Sequence, residues 1–395
     1  MEESNMVEWK KLGEVCGIFD GTHQTPKYTD SGIKFVSVEN INGLYNSNKF
    51  ISEEDFNANY KTKPQRNDVL MTRIGDVGSC AIVDKDEPLA YYVSLALLRP
   101  NSNVISGYIK YILESRIGKI ELRKRTLLTA VPLKINLGDV GKVIIPIPSL
   151  SEQNRIVGIL DTFTASIENL KEQIAQRRKQ FDWYLDKLYF ATKADLLEAS
   201  YKGKVLIKSF DEIGTFTRGR RFVRTDIVSE GVPCIHYGDM YTYYGVWADK
   251  TPTHLTKEVS EKLRFAQKGD VVIVAAGEND IDIGVGVAWL GDEDVVVHDA
   301  CFIFKHKMNP KYLSYFMRSM NYHLQIRMGV VDGKICSISA KELGRTLIAV
   351  PSISEQSRIV SILDTFEASI QNLEAQLKER EKQYEYYRNK LLTFE

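Results

Sequence analysis

The longest regular signal in the chain is a stripe of apolar positions at helical spacing. Phe163, Ile167, Leu170, Ile174, Arg177, Phe181, Tyr184 and Leu188 follow one another at alternating intervals of four and three. A second stripe, Phe366, Ile370, Leu373, Leu377, Arg380, Tyr384, Tyr387 and Leu391, keeps the same rhythm. This is the a/d seam of a coiled coil, sustained over about four heptads. One polar residue interrupts each seam at the same register, Arg177 in the first and Arg380 in the second. Such a residue can fix register or simply carry its charge out to water. Two matched stripes in one chain predict that they pack against each other. Ahead of each, a proline and Ser-x-Ser-Glu-Gln, from Pro148 and from Pro351, supply a rigid entry and a cap. Asp161 and Thr162 offer a further cap, which predicts a short helix and then a long one.

The remaining pattern is shorter in period. IKFVSVENI, DVLMTRI, SCAIVD and VSLALLRP in one block read as strands, as do VPCIHYGDM, DVVIVAAG, GVAWLGDEDVVVH and ACFIFKH in another, with Gly, Asn or Asp between them. Each block ends in one expected helical stretch, 108–124 and 310–328. Strands and helices do not alternate, which argues against a parallel doubly wound sheet.

These blocks are two versions of one text. PSLSEQNRIVGILDTF from Pro148 and PSISEQSRIVSILDTF from Pro351 agree at 13 of 16 positions, 203 residues apart. Upstream the agreement is weaker but ordered. LGEVCG (12–17) parallels FDEIGT (210–215), GIKFVSVEN (32–40) parallels GVPCIHYGD (231–239), and QRNDVLMTRIGD (65–76) parallels QKGDVVIVAAGE (267–278). A unit of about 200 residues is written twice, divergent in its first part and nearly invariant in its second. Two copies are too few for a solenoid, so the repeat predicts a pseudo-twofold molecule. The boundaries fall at 1–147, 148–200, 201–350 and 351–395.

Composition narrows the function by exclusion. The 395 residues carry 52 basic and 52 acidic side chains, so no global basic field marks a nucleic-acid binder, and any such binding rests on local clusters. The five cysteines (Cys16, Cys80, Cys234, Cys301, Cys336) are scattered and never form CxxC, as expected of reduced thiols in the cytoplasm. The N-terminus is polar and acidic, and no apolar run is long enough to span a membrane. GVVDGKI (329–335) has the wrong spacing for a phosphate-binding loop, GVGVAW (284–289) is not a dinucleotide fingerprint, and no Asn/Asp-Pro-Pro-Tyr/Phe occurs. The six histidines (His23, His236, His254, His298, His306, His323) lack metal spacing. Nothing assembles a reaction or a metal site.

Local chemistry suited to a polyanion is present. FTRGRRFVRT (216–225) holds Arg218, Arg220, Arg221 and Arg224 with no acid. Guanidinium forks fit phosphates and guanine edges, and glycine lets backbone amides approach a phosphate. The corresponding loop of the first block, GTHQTPKY, offers Thr22, His23, Gln24, Thr25, Lys27 and Tyr28, side chains able to read base edges. Arg123, Lys124 and Arg125 in ELRKRT, Arg73 at a hairpin phrase, and His236 and Tyr241 at VPCIHYGDM complete the candidates. The bland reading of each stretch is a solvated turn.

With these residues assembled, the chain resembles the specificity subunit of Type I restriction–modification enzymes over its whole length. The resemblance is carried by VIIPIPSLSEQNRIV (143–157) and TLIAVPSISEQSRIV (346–360). The openings EWKKLGEV (8–15) and IKSFDEIG (207–214) and the hairpin phrases NDVLMTRIGDVG (67–78) and GDVVIVAAGEN (269–279) add to it. The second hairpin departs from the first in being longer and lacking a counterpart of Arg73. The resemblance implies an α+β fold: two mixed α/β target-recognition domains joined by two long helices in an antiparallel coiled coil. It also implies a non-catalytic DNA-binding subunit that reads a bipartite asymmetric site in double-stranded DNA. Two methyltransferase subunits would dock on the helical regions, and restriction (motor–endonuclease) subunits would join them. S-adenosylmethionine, ATP and Mg would be bound only by those partners. A specificity subunit of a Type II-like fused system, or a coiled-coil scaffold that binds protein and not DNA, are the alternatives.

Overall fold

The computed structural model describes residues 7–203, 205–278, 280–331 and 333–394. The chain divides into two compact units. One contains everything up to Lys171 together with the stretch from Ala375 onward; the other is Glu172–Glu374. The division therefore cuts through both long helices, Leu150–Leu188 and Ile353–Leu391, each of 39 residues.

The helix expected to break near residue 161 is continuous. The Asp161 carboxylate accepts the Tyr111 hydroxyl proton at 2.6 Å, and the Thr162 hydroxyl donates one turn back to the Gly158 carbonyl at 2.9 Å, so neither side chain is free to cap. The caps lie at the proline phrases instead: the Ser149 hydroxyl accepts from the Glu152 N–H and the Ser352 hydroxyl from the Glu355 N–H.

In the first unit a four-stranded antiparallel sheet runs in the order Cys16–Asp20, Leu95–Pro100, Val69–Thr72, Cys80–Ile82. A three-stranded sheet, Phe50–Ile51, Ile33–Val36 and Leu89–Tyr91, lies beside it in the fold order, its last two strands parallel. A two-stranded ribbon, Glu8–Lys11 with Ile144–Ile147, ties the start of the block to its end. The core joins Val69 and Met71 of the sheet to Tyr108, Ile109 and Ile112 of the helix Ser106–Glu114 and to Ile156 and Leu160 of the first long helix. The long helix is thus part of the domain core, not an appendage to it.

The second unit repeats this plan. Gly214–Arg218, Cys301–His306, Val271–Val274 and Gly286–Trp289 form the same antiparallel order, extended by Trp247–Ala248. Register is kept: Cys16 faces Pro100 in the first unit and Gly214 faces His306 in the second. The ribbon recurs as Ile207–Ser209 with Leu347–Ala349. The fold is α+β with an internal repeat.

Each expected helix before the ribbon proves to be two. Ser115 and Ser319 interrupt them, their hydroxyls accepting from the Gly118 and Tyr322 N–H groups as N-caps of Arg116–Arg123 and Met320–Ile326. A serine able to bond the backbone starts a new helix more readily than it continues an old one. Gly118 is required at the first junction, since a Cβ there would lie 2.1 Å from the Ile112 carbonyl oxygen.

The seams pair antiparallel in both units. In the first, Phe163 stacks on Tyr387 with ring centroids 5.4 Å apart; in the second, Tyr184 meets Phe366 at 5.1 Å. Ile167 and Ile174 are buried between the helices, while Tyr184 and Tyr387 cover the edge and stay partly open. The polar interruptions neither pair with each other nor simply reach for water. Arg380 lies over the Phe163 ring at 5.6 Å and Arg177 over Phe366 at 5.8 Å, a cation–π contact that holds an arginine at a seam position. An Arg178–Glu374 ion pair bridges the helices at exposed positions and adds little.

The repeated phrase is held from inside. Gln153 and Gln356 are almost completely buried, at 0% and 1% exposure. The Gln153 amide donates to the Asn103 and Pro148 carbonyls while its oxygen accepts from the Ile105 N–H; Gln356 donates to Pro351 O and accepts from Asn309 N–H. Tyr111 to Asp161 and Tyr315 to Asp364 repeat the coupling two turns further on.

Cysteines placed at 163 and 387 are expected to be joined by a short bifunctional crosslinker in the folded chain, and cysteines at 163 and 366 to remain unjoined. Replacing Gln153 or Gln356 with leucine, which leaves a buried N–H and carbonyls unpaired, is expected to lower stability by about 1–3 kcal/mol in thermal or urea unfolding.

Candidate nucleic-acid interface

The two candidate loops leave equivalent strands at equivalent glycines. A Cβ on Gly21 would lie 2.6 Å from the Tyr91 carbonyl oxygen, and one on Gly219 2.2 Å from that of His298. The next N–H of each loop is taken: Thr22 N–H donates to Tyr91 O and Arg220 N–H to Val297 O. These glycines let the loop cross close to the neighbouring strand; their first amides are committed inside the fold and not offered to a phosphate.

In the first unit, Asp20 organises the loop. Its carboxylate receives Arg73 Nη2 at 2.8 Å through one oxygen and the His23 ring nitrogen at 2.7 Å through the other. Arg73, only 8% exposed, also donates from Nε to the Val93 carbonyl at 2.6 Å. The hairpin arginine is therefore an internal brace. His23, Gln24, Thr25 and Lys27 are exposed, Thr22 is half-buried in a turn with Gln24, and Tyr28 sits edge-on to Phe35 with its outer side open.

The ELRKRT cations differ among themselves. Arg123 is exposed, while Lys124 and Arg125 both bond to Glu121, at 2.6 and 2.7 Å. Burial would raise the Glu121 carboxyl, but the bonds from Lys124 and Arg125 outweigh it and hold it below the usual range.

In the second unit the place of Asp20 is taken by Arg218. Its Nε donates to the Asp299 carbonyl at 2.8 Å and its guanidinium lies over Phe302. Arg220 donates to the Lys262 carbonyl at 2.6 Å. Arg221 and Arg224 are exposed and make no side-chain hydrogen bond or ion pair among the described residues. Beside them His236 packs against His298, ring centroids 4.9 Å apart, with Phe222 at the rim. Burial, with Arg224 nearby and Asp239 opposing, lowers the His236 pKa. Its Nδ1 accepts from the Gly238 N–H at 3.2 Å, which leaves Nε2 as the N–H donor. The Tyr241 ring is exposed in part, with its hydroxyl turned to Gly277.

Asp20, which bonds His23, and His298, which packs on His236, were not among the candidates named from the sequence. The signal for Asp20 was its position opposite Arg218 in the repeat. Among the described residues no cluster of His, Cys, Asp or Glu could hold a metal, and no helix is long and apolar enough to cross a membrane.

The model of the type I restriction modification DNA specificity domain matches residues 6–177 and again 204–381. The chain belongs to that family. It is 24% identical over 427 residues to a Haemophilus influenzae protein assigned as a type I restriction enzyme specificity subunit, covering 99% of this chain and 97% of that one. The specificity subunit of the Escherichia coli type I enzyme EcoR124I/EcoR124II is 29% identical over 64% of this chain and 63% of its own length. Among solved structures, the S subunit of a type I restriction–modification system from M. genitalium superposes with a TM-score of 0.57 at 16% identity, over 100% of this chain and 99% of that one. A chain from a study of complex assembly and conformational transition of the type I R-M system gives 0.60 at 16% identity, over 98% and 96%. These likenesses show that the fold is that of the specificity subunits.

Arg73→Ala leaves the half-buried Asp20 carboxylate with His23 as its one remaining side-chain partner and is expected to cost about 1–3 kcal/mol in urea unfolding. The double variant Arg73→Ala/Asp20→Asn is expected to recover part of that loss, which would identify the pair as the origin.

Proposed function

We propose that this chain is the non-catalytic DNA-reading subunit of a type I restriction–modification enzyme, working in the cytoplasm. Residues 1–147 and 201–350 each read one half of a bipartite asymmetric site. The helical regions 148–200 and 351–395 set the gap between the halves and dock two methyltransferase subunits, which restriction subunits then join. A 39-residue helix is about 58 Å long at 1.5 Å per residue, longer than one duplex turn of about 34 Å, which suits two half-sites with unread base pairs between them. S-adenosylmethionine, ATP and Mg act in the partner subunits, and adenine methylation and cleavage require them.

The observation that carries this reading is the contrast between what the repeat keeps and what it changes. Buried Gln153 and Gln356 both accept a loop N–H and both donate to the proline carbonyl five residues back, and Gly21 and Gly219 make the same close approach. The side chains at the open ends of those loops differ: Thr22, His23 and Gln24 in one, Arg220 and Arg221 in the other. One scaffold presenting two chemistries is what reading two unlike half-sites requires.

In complex with its methyltransferase subunits, Arg221→Ala/Arg224→Ala is expected to weaken site binding and reduce the salt slope by about two units if both contact phosphates. Discrimination within the first half-site is expected to stay intact. Binding by the folded variant equal to wild type across the salt titration would contradict the assignment of this loop. Methylation by the purified chain without partners would contradict the non-catalytic role.

A further inference from the structure

One surface feature is explained neither by the core nor by the recognition loops. Four large aliphatic side chains within seven residues stand in water: Leu127, Leu128, Val131 and Leu133, of which Leu128 is 54% and Val131 99% exposed. A cluster of exposed aliphatics on a soluble domain marks a contact surface. This one is shaped. Leu127 N–H donates to Lys134 O at 2.7 Å and Ala130 N–H to Leu127 O at 3.3 Å, closing the segment into a finger. Its base is bonded to the hairpin that carries Arg73: Gly75 N–H donates to Leu133 O at 2.7 Å and Ile135 N–H to Arg73 O at 2.9 Å. Gly75 reaches this position at a φ of +81°, which favours glycine. Through Arg73 and Asp20 the finger is tied to His23, so finger, hairpin and GTHQ loop form one connected surface within the first unit.

The second unit has a counterpart at the same place in the repeat. Val331 and Ser337 exchange both backbone hydrogen bonds, and Ile338 N–H donates to Ala275 O at 2.9 Å. Met328, Val331 and Ile335 are all exposed there. Two readers that share little else in their loops both carry an aliphatic tip next to the hairpin.

Charge decides which partner the first finger fits. Between residues 123 and 134 there are four cations, Arg123, Lys124, Arg125 and Lys134, and no acid. Lys124 and Arg125 are engaged by Glu121, which leaves Arg123 and Lys134 exposed on either side of the aliphatic tip. An apolar tip between free cations matches a duplex groove, with phosphates at the walls and thymine methyl groups among the base edges. We propose that Leu128 and Val131 are specificity-determining residues that pack against thymine methyl groups in the half-site read by the first block. This rests on the chain being a DNA reader.

The test uses the complex of the full chain with its methyltransferase subunits and its own site, with thymines replaced by deoxyuridine in one half at a time. The wild-type complex is expected to lose about fourfold in affinity for each methyl contact removed, as for burial of one methyl-sized group. Leu128→Ser/Val131→Ser, at exposed positions, is expected to keep the wild-type melting temperature, co-elution with the methyltransferase subunits and salt slope. It should bind the unmodified site more weakly and become indifferent to uracil in one half while staying sensitive to it in the other. A variant with wild-type affinity and wild-type uracil sensitivity in both halves overturns the proposal. So does a variant defective only in co-elution, which would make the finger a protein contact. A wild-type complex without salt-dependent, site-selective binding fails at an earlier step and contradicts the proposed function itself.

Discussion

The antiparallel seam between the two long helices brings Leu391 and Leu392, from the end of the chain, to a core that begins at Leu12, and it brings Leu185 and Tyr189 to the core around Phe210 and Phe304. Each unit therefore takes its supporting helix pair from both repeats. Residues up to Lys171 lack the buried surface that the segment from Ala375 supplies, and Glu172–Glu374 contains the complementary halves. The contacts that make this work are few and matched: Phe163 with Tyr387 and Arg380, Phe366 with Tyr184 and Arg177. An aromatic ring at the start of each seam is covered by a tyrosine and an arginine from the end of the other. A parallel arrangement would bring Phe163 towards Phe366 and leave both arginines without a ring.

That constraint accounts for much of the sequence conservation between the two repeats. The Ser-x-Ser-Glu-Gln phrase is a latch: its first serine caps the helix, its glutamine fills the backbone bonds of the loop before Ser106–Glu114 or Pro310–Phe316, and the aspartate two turns on receives a tyrosine from that helix. A substitution at either glutamine leaves buried polar groups of that loop unpaired. The strands and loops beyond the latch need only an apolar interior and a glycine where the loop crosses, so their outward side chains are free to diverge.

The seam, the caps and the repeat were legible in the sequence because each is a local pattern or a comparison of the chain with itself. What could not be read was which partner, near or far in the chain, each polar side chain takes. Arg73 looks like a free hairpin cation until Asp20, 53 residues away, closes on it. Lys124 and Arg125 look like a basic patch until Glu121 turns toward both. Asp161 and Thr162 look like a helix start, but Tyr111 and the Gly158 carbonyl occupy them. Of the arginines in FTRGRRFVRT, two are engaged with backbone carbonyls and two remain open, a distinction that no motif carries.

The proposed function puts two different readers on one helical frame. Sequencing the methylated adenines in a host that carries this chain with its methyltransferase partners tests that claim most directly. A two-part asymmetric motif with a fixed gap is predicted, with only one part changing when residues 201–350 are exchanged for those of a relative. A single uninterrupted motif, or a change in both parts on that exchange, would contradict it.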